Sequence, residues 1–186
     1  MNHASSRKII IACVLGNALE WYDFILYGYF AAIIGKQFFP GIAKEIQLIA
    51  TFSVFASGFI MRPLGALLFG YMGDRFGRKG ALAFSVLLMS IPTGLLSLLP
   101  TYRQIGLWAP ILLTFIRLLQ GLSVGGEVSG TNIFLVEHAP KNKTIFYGSF
   151  AVASTFLGML VGALTTLTLT HCLTHSALHL WGWRIP

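Results

Sequence analysis

Four charged side chains interrupt stretches that are otherwise apolar, and their types suit proton transfer and anion binding. Glu20 and Asp23 are acids three residues apart, whereas Arg62 and Arg117 are arginines in two later stretches. A helix places residues i and i+3 on one face, so the two acids lie side by side. An acid beside an arginine keeps its charge, and it takes up a proton once the pair separates. The acids therefore predict a proton relay, and the arginines predict a site for the carboxylate of a substrate.

An alternative interpretation is that these four charges serve only to assemble the helices. A charged side chain inside a membrane costs about 2.5–3.5 kcal/mol to insert, and it usually faces a partner or a cavity. Ion pairs between helices would meet that need without moving a proton. Arg62 also precedes Pro63, so its main role could be to shape its helix. The residues alone leave both interpretations open.

Five apolar stretches are long enough to hold these charges within a membrane. A spanning helix needs roughly 20 mostly apolar residues, or about 30 Å at 1.5 Å per residue. None of the five alternates apolar with polar residues, as a membrane strand would. Each charge lies about 14–21 Å from the start or end of its stretch, which is the middle third of the membrane. The predicted spans are 9–34, 48–72, 81–99, 108–136 and 145–169.

The composition supports an all-α integral membrane protein. Charged residues make up 10% of the 186 residues, against about 25% in soluble domains. The two cysteines cannot frame a disulfide-stapled domain. A net charge of +7 would point to nucleic acid in a soluble protein, but here the basic residues form short runs between the apolar stretches. Such runs fit anionic lipid, so we expect a bilayer and no nucleic acid as partner.

The distribution of lysine and arginine predicts the orientation, because cytoplasmic loops are enriched in them. With a cytoplasmic N-terminus, the outer segments hold four of them and the cytoplasmic segments hold seven. The sequence therefore predicts a multi-pass protein of the cytoplasmic (inner) membrane with its N-terminus inside. The outer residues are Lys36, Lys44, Arg103 and Arg184, and the cytoplasmic ones are Arg7, Lys8, Arg75, Arg78, Lys79, Lys141 and Lys143.

A short segment rich in glycine and charge joins the second and third stretches. Gly77 permits a left-handed turn, and the basic residues hold the loop inside. Asp74 falls at a helix end, where the helix dipole disfavours an acid unless a cation compensates it. Glu127 and Glu137 are predicted to lie on the same side, so these charges predict a cytoplasmic gate. The spacing G-x-x-x-D-R-x-G-R-K comprises Gly70, Asp74, Arg75, Gly77, Arg78 and Lys79.

This loop matches without departure the signature of the major facilitator superfamily, which the chain therefore resembles. Within the superfamily, segments 16–24, 58–66, 117–127 and 181–186 resemble the metabolite:proton symporter family. The resemblance implies cotransport of protons with proline and betaines, citrate, 2-oxoglutarate or shikimate, by alternating access. It covers the first half of a usual twelve-helix transporter. We therefore expect an N-terminal half-bundle over residues 1–186, with five spans and the approach to a sixth.

Other functions find less support in the sequence. It shows no P-loop, metal quartet or nucleophile with a base, so we predict no enzyme and no cofactor besides the proton gradient as driving force. His171, His175 and His179 recur at a spacing that could hold a metal, yet no acid or cysteine clearly completes a site. A solvated outer loop is the favoured interpretation. The rival hypotheses are an inactive truncated remnant and a half-transporter module that needs a missing C-terminal half or partner chain.

Overall fold

The computed structural model describes residues 3–137, 139–140 and 142–186, with the side chains at 3–10, 12–13, 78–79, 82, 127–134 and 137 excepted. This part of the chain is helical and contains no strand. The helices are α1 (His3–Phe38), α2 (Lys44–Phe76), α3 (Arg78–Leu98), α4 (Tyr102–Ile105), α5 (Trp108–Glu137), α6 (Thr144–Cys172) and α7 (His175–Leu180), followed by a 3-10 turn at Gly182–Arg184.

The long helices carry an apolar surface suited to lipid. Within the described residues, Lys44–Phe76, Trp108–Gly126 and Thr144–Cys172 are long and apolar enough to cross a membrane, and α3 adds the shorter apolar stretch Ala83–Leu98. Large apolar side chains point outward from these helices; Ile60 is 74% exposed. Exposed apolar surface of this extent marks a membrane or interaction face. The observed helices therefore agree with the composition.

Short connections hold successive long helices side by side. A single residue, Gly77, separates α2 from α3, and its φ of 95° is a conformation that residues with a Cβ rarely adopt. The α3–α5 connection contains the one-turn helix α4, which begins with a reciprocal capping box between Thr101 and Gln104. These connections fix the ends of the bundle.

Glycines bring two pairs of helices into close contact. On α5, Gly121 lies against the backbone of Gly58 in α2. On α6, Gly158 lies against the backbone of Ala18 in α1, and Gly162 against Ile25. A Cβ at any of the three α5 or α6 positions would collide with its neighbour, so glycine at these positions allows the helices to pack closely. This packing sets how the charged residues of α1, α2 and α5 meet.

The apolar core lies towards the end of the bundle that holds α4 and α7. Its members include Tyr27, Phe38 and Leu113, which are almost fully buried. Trp183, in the 3-10 turn, packs edge-on against Phe38 with their ring centroids 5.9 Å apart. The segment 181–186 therefore packs partly into the core.

Candidate functional site

The first buried ion pair of the bundle joins α1 to α5. Arg117 Nη1 donates a 2.7 Å hydrogen bond to Asp23 Oδ2. The Arg117 side chain is 3% exposed, and that of Asp23 is 13% exposed. The Arg117 Cζ atom also lies 3.9 Å from the centre of the Tyr27 ring, so the guanidinium is held by a carboxylate and an aromatic face. Charge-assisted contacts of this length are strong in a low-dielectric interior.

The second ion pair joins α1 to α2, one turn away. Arg62 Nη2 lies 3.8 Å from Glu20 Oε1, which is longer than a direct hydrogen bond. The Glu20 side chain is fully buried, whereas that of Arg62 is 23% exposed. Two aromatic rings cover the guanidinium, because Arg62 Cζ lies 4.8 Å from the centre of Phe24 and 4.0 Å from that of Phe59. The structure thus brings together all four charges predicted to lie at mid-membrane, as two separate pairs.

The glycines of α2 and α5 explain why the two arginines lie where they do. Gly58 in α2 lies against the backbone of Arg117, and Gly125 in α5 lies against the backbone of Arg62. Each arginine is therefore placed by a glycine of the opposite helix. The two acids come from one face of α1, as their spacing predicts. Backbone contact between α2 and α5 consequently sets the distance from each arginine to α1.

An open cavity borders the Asp23–Arg117 pair. It has a volume of about 180 Å³ and lies between α1, α3, α5 and the 3-10 turn. Its lining is mostly apolar and aromatic, with Tyr27 and Trp183 beside the ion pair, and Arg184 also contributes. Sites for small molecules commonly combine apolar walls with a few polar groups in this way. The pair can therefore reach a small solute in this cavity.

Several polar residues that the sequence analysis did not single out support this region. Asn17 lies one turn before Glu20, and its amide donates to Ala151 O at 2.9 Å and to Ser154 Oγ at 2.7 Å, both in α6. Tyr27 donates from its hydroxyl to Thr51 O at 3.1 Å, which fixes the ring that covers Arg117. An asparagine inside an apolar helix is itself a signal for a contact between helices.

The loop between α2 and α3 lies apart from the mid-membrane charges. Gly70, Asp74 and Arg75 are exposed at the end of α2, and the Arg75 guanidinium donates to the Tyr71 hydroxyl. The remaining gate residues contribute no described contacts, since the side chains of Arg78, Lys79, Glu127 and Glu137 lie outside the described ones. Whether these groups meet at a gate therefore stays a prediction.

The histidines near the end of α6 do not assemble with other ligands. The rings of His175 and His179 lie 4.4 Å apart, centre to centre. Within the described part of the chain, no group of three histidine, cysteine or acidic side chains is placed to hold a metal. Metal binding here gains no support.

This helix arrangement matches a known fold. It is similar to the solved structure of the proton:xylose symporter XylE, a major facilitator superfamily protein, with a TM-score of 0.83 over 99% of this chain and 41% of that one. The two sequences are 20% identical, so this likeness shows the fold.

Residues 8–186 match the model of the sugar (and other) transporter family, and the chain belongs to this family of the major facilitator superfamily. The predictions of fold class and superfamily are confirmed. The family consists of transporters, so the chain is not an enzyme.

Several curated transporters are similar to this chain over nearly its whole length. The chain is 43% identical over 180 residues to the glycine betaine/proline/ectoine/pipecolic acid transporter OusA of Dickeya dadantii. It is also 43% identical to the proline/betaine transporter of Escherichia coli K12, and 41% identical over 182 residues to its shikimate transporter. These alignments cover 97% of this chain but only 36%, 36% and 42% of the three relatives. The chain thus spans about two fifths of their length.

Proposed function

We propose that the chain forms the N-terminal part of a proton-coupled symporter for a small organic solute that carries a carboxylate or is zwitterionic. The observation that carries the proposal is the buried Asp23–Arg117 pair, which lines a cavity at the predicted depth of a transport site. Transporters of this class bind solute and coupling ion near the membrane midplane and expose them alternately to each side. The proton gradient supplies the driving force, and no bound cofactor is required.

The coupling step follows from the geometry of that pair. A proton on Asp23 removes the negative charge that holds Arg117, so the guanidinium becomes available to the carboxylate of a solute. When the solute leaves, the free guanidinium of Arg117 favours the ionised form of Asp23, so Asp23 releases its proton and the ion pair forms again. Binding of solute and proton is thereby linked through one arginine. Glu20 and Arg62 form a second acid–arginine pair that can take part in the same way.

The substrates for which the relatives are named agree with this chemistry. Proline, glycine betaine and shikimate all carry a carboxylate, which is the group that an arginine binds well. The rings of Phe24 and Phe59 already hold the Arg62 guanidinium by its face. Aromatic rings also bind quaternary ammonium groups, so this part of the site favours a zwitterionic solute.

The site of the whole transporter needs helices beyond those of this chain. Because the chain spans about two fifths of its relatives' length, transport is proposed for an assembly that includes the remaining helices. The competing proposal is that residues 1–186 transport nothing by themselves or act only as a module beside a partner chain. In the complete transporting assembly, we propose that Asp74, Glu127 and Glu137 serve the inner gate.

The proposal also covers the membrane in which the protein lies and its orientation there. The comparisons show a membrane transporter family. The proposal adds that the protein lies in the cytoplasmic membrane with its N-terminus inside, since basic residues are more frequent in the segments then facing the cytoplasm.

A chimera tests the proposal. Residues 1–186 are joined in frame to the part of the E. coli proline/betaine transporter that follows the matched segment, and uptake of labelled proline and betaine is measured in cells lacking their own uptake. The expected result is accumulation that an uncoupler abolishes. The chain alone serves as the control. A chimera that inserts fully yet accumulates none of the relatives' substrates would favour the inactive alternative.

A further inference from the structure

A basic pocket lies at the end of the bundle where α1, α4 and α7 meet. Its volume is about 420 Å³. Four basic side chains from four segments line it: Lys36, Arg103, His179 and Arg184. Amide and hydroxyl groups and the apolar Leu180 complete the lining, and none of the described lining residues is an acid. The charge in this pocket is therefore uncompensated by the residues around it.

The electrostatics of the pocket disfavour a cation. Burial, together with the nearby His175 and Lys36, lowers the pKa of His179 from its usual 6.5. Burial is the largest of these causes, and His175 and Lys36 act in the same direction. A metal ion would add to this repulsion, whereas an anion would relieve it. The pocket consequently favours a negatively charged ligand.

Hydrogen bonding in the lining also favours a negatively charged ligand. Arg184 Nη2 donates to Leu99 O at 2.9 Å, and Gln37 Nε2 donates to the backbone oxygen of His179 at 2.7 Å. These bonds hold the two basic residues in place. Arg184 Nε and His179 Nδ1 are nevertheless buried and have no hydrogen-bond partner among the residues described. Buried polar atoms normally have a partner, so both are available to the oxygens of a ligand.

The position of the pocket indicates which oxygens these are. Trp108 and Trp181 lie at the same end of the bundle and are 66% and 51% exposed. Exposed tryptophans mark the level of the lipid headgroups in membrane proteins. Phosphate groups are the anions concentrated at that level.

We propose that this pocket binds a phosphate oxyanion, held by charge-assisted hydrogen bonds from Lys36, Arg103 and His179. A phospholipid headgroup and free phosphate both present these oxygens, and the site recognises what they share. The Asp23–Arg117 pair does not line this pocket, although Arg184 lines both the pocket and the cavity beside that pair. Phosphate binding here does not depend on the proposed coupling step.

Two probes and one pair of matched variants test the site on the 186-residue chain. The chain is purified in detergent or placed in nanodiscs that contain phosphatidylcholine with or without phosphatidylglycerol. Native mass spectrometry counts retained lipid, and calorimetry follows inorganic phosphate in phosphate-free buffer. Lys36 and Arg103 are exposed, so Lys36→Gln with Arg103→Gln removes two charges without opening the core. Lys44→Gln removes an exposed basic charge at the same end of the bundle, outside this pocket, and is the control.

The expected result is binding that weakens at least about tenfold in the pocket variant and stays unchanged in the control, since each lost contact is a hydrogen bond to a charged group. Retention of phosphatidylglycerol over phosphatidylcholine identifies a lipid headgroup as the ligand. Saturable binding of inorganic phosphate without lipid preference identifies a free anion. The proposal is overturned if the pocket variant retains lipid and binds inorganic phosphate as well as the original chain does, with equal helicity by circular dichroism.

Discussion

The backbone carbonyl of Arg62 in α2 lies directly against Gly125 in α5, where no side-chain carbon fits. The charged residue that pairs with Glu20 is thus placed by a glycine in another helix. The function of the buried charges therefore depends on close helix packing as well as on the charges themselves.

The first prediction concerns this contact. Gly125→Ala should lower the stability of the detergent-solubilised chain by about 1–3 kcal/mol, because overpacking a close interface forces the backbones apart. Gly28→Ala is the matched control, since a Cβ at that exposed position in α1 meets nothing within 4 Å. Thermal unfolding followed by circular dichroism measures both. Equal melting of the two variants would show that α2 and α5 are not held at this distance.

Asn17 provides the second prediction, because its amide bonds to two groups of α6 in the apolar interior. Asn17→Ala should destabilise the contact between α1 and α6 by about 0.6–1.7 kcal/mol, the range for polar contacts between membrane helices. Thr165→Ala is the control, since Thr165 is bonded only to Val161 of its own helix in the described structure. A similar loss of folded protein in both variants would argue against a specific role for Asn17.

The third prediction is a pH dependence at α7. The pKa of His179 is lowered in the folded chain, so the unfolded segment binds more protons and folding is weakened as pH falls below 6.5. Above pH 6.5 the contribution of His179 is fully present. Hydrogen exchange at the amides of α7 should therefore be faster at pH 5.5 than at pH 7.5, after correction for intrinsic rates. His179→Gln should remove the difference, and a difference that persists in this variant would assign the effect to another group.

The fourth prediction tests orientation. Cys172 is exposed at the end of α6, which faces outward if the N-terminus is cytoplasmic. A membrane-impermeant maleimide added to intact cells should label the chain. Cys172→Ser keeps the other cysteine, Cys13, and should lose this labelling. Labelling that survives in Cys172→Ser cells would place Cys13 outside and reverse the orientation.

Much of the fold could be predicted because lipid imposes simple rules on sequence. Apolar length and the absence of alternation indicate helices, and each predicted span falls within one observed long helix apart from Leu99, which follows the end of α3. These features depend on local sequence, so one chain is enough to recognise them.

Pairing between helices could not be predicted in the same way. Position along each helix placed Glu20, Asp23, Arg62 and Arg117 at one depth in the membrane. It gives no information about how each helix is rotated about its axis. The sequence alone therefore left open which acid meets which arginine, and the structure pairs Asp23 with Arg117. The inward packing of Trp183 could not be predicted either, since a tryptophan near a helix end suits an interface and a core equally well.

The central claim is that the Asp23–Arg117 pair couples proton entry to solute binding. The most direct measurement compares proton-driven accumulation with energy-independent exchange of labelled solute in the chimera, for the original chain, Asp23→Asn and Arg117→Gln. Glu45→Gln, which removes an exposed acid at the start of α2, is the control. Arg117→Gln is expected to abolish accumulation, and Asp23→Asn is expected to abolish accumulation while keeping exchange. The control should change neither. Accumulation at the original level in Arg117→Gln or Asp23→Asn would contradict the central claim.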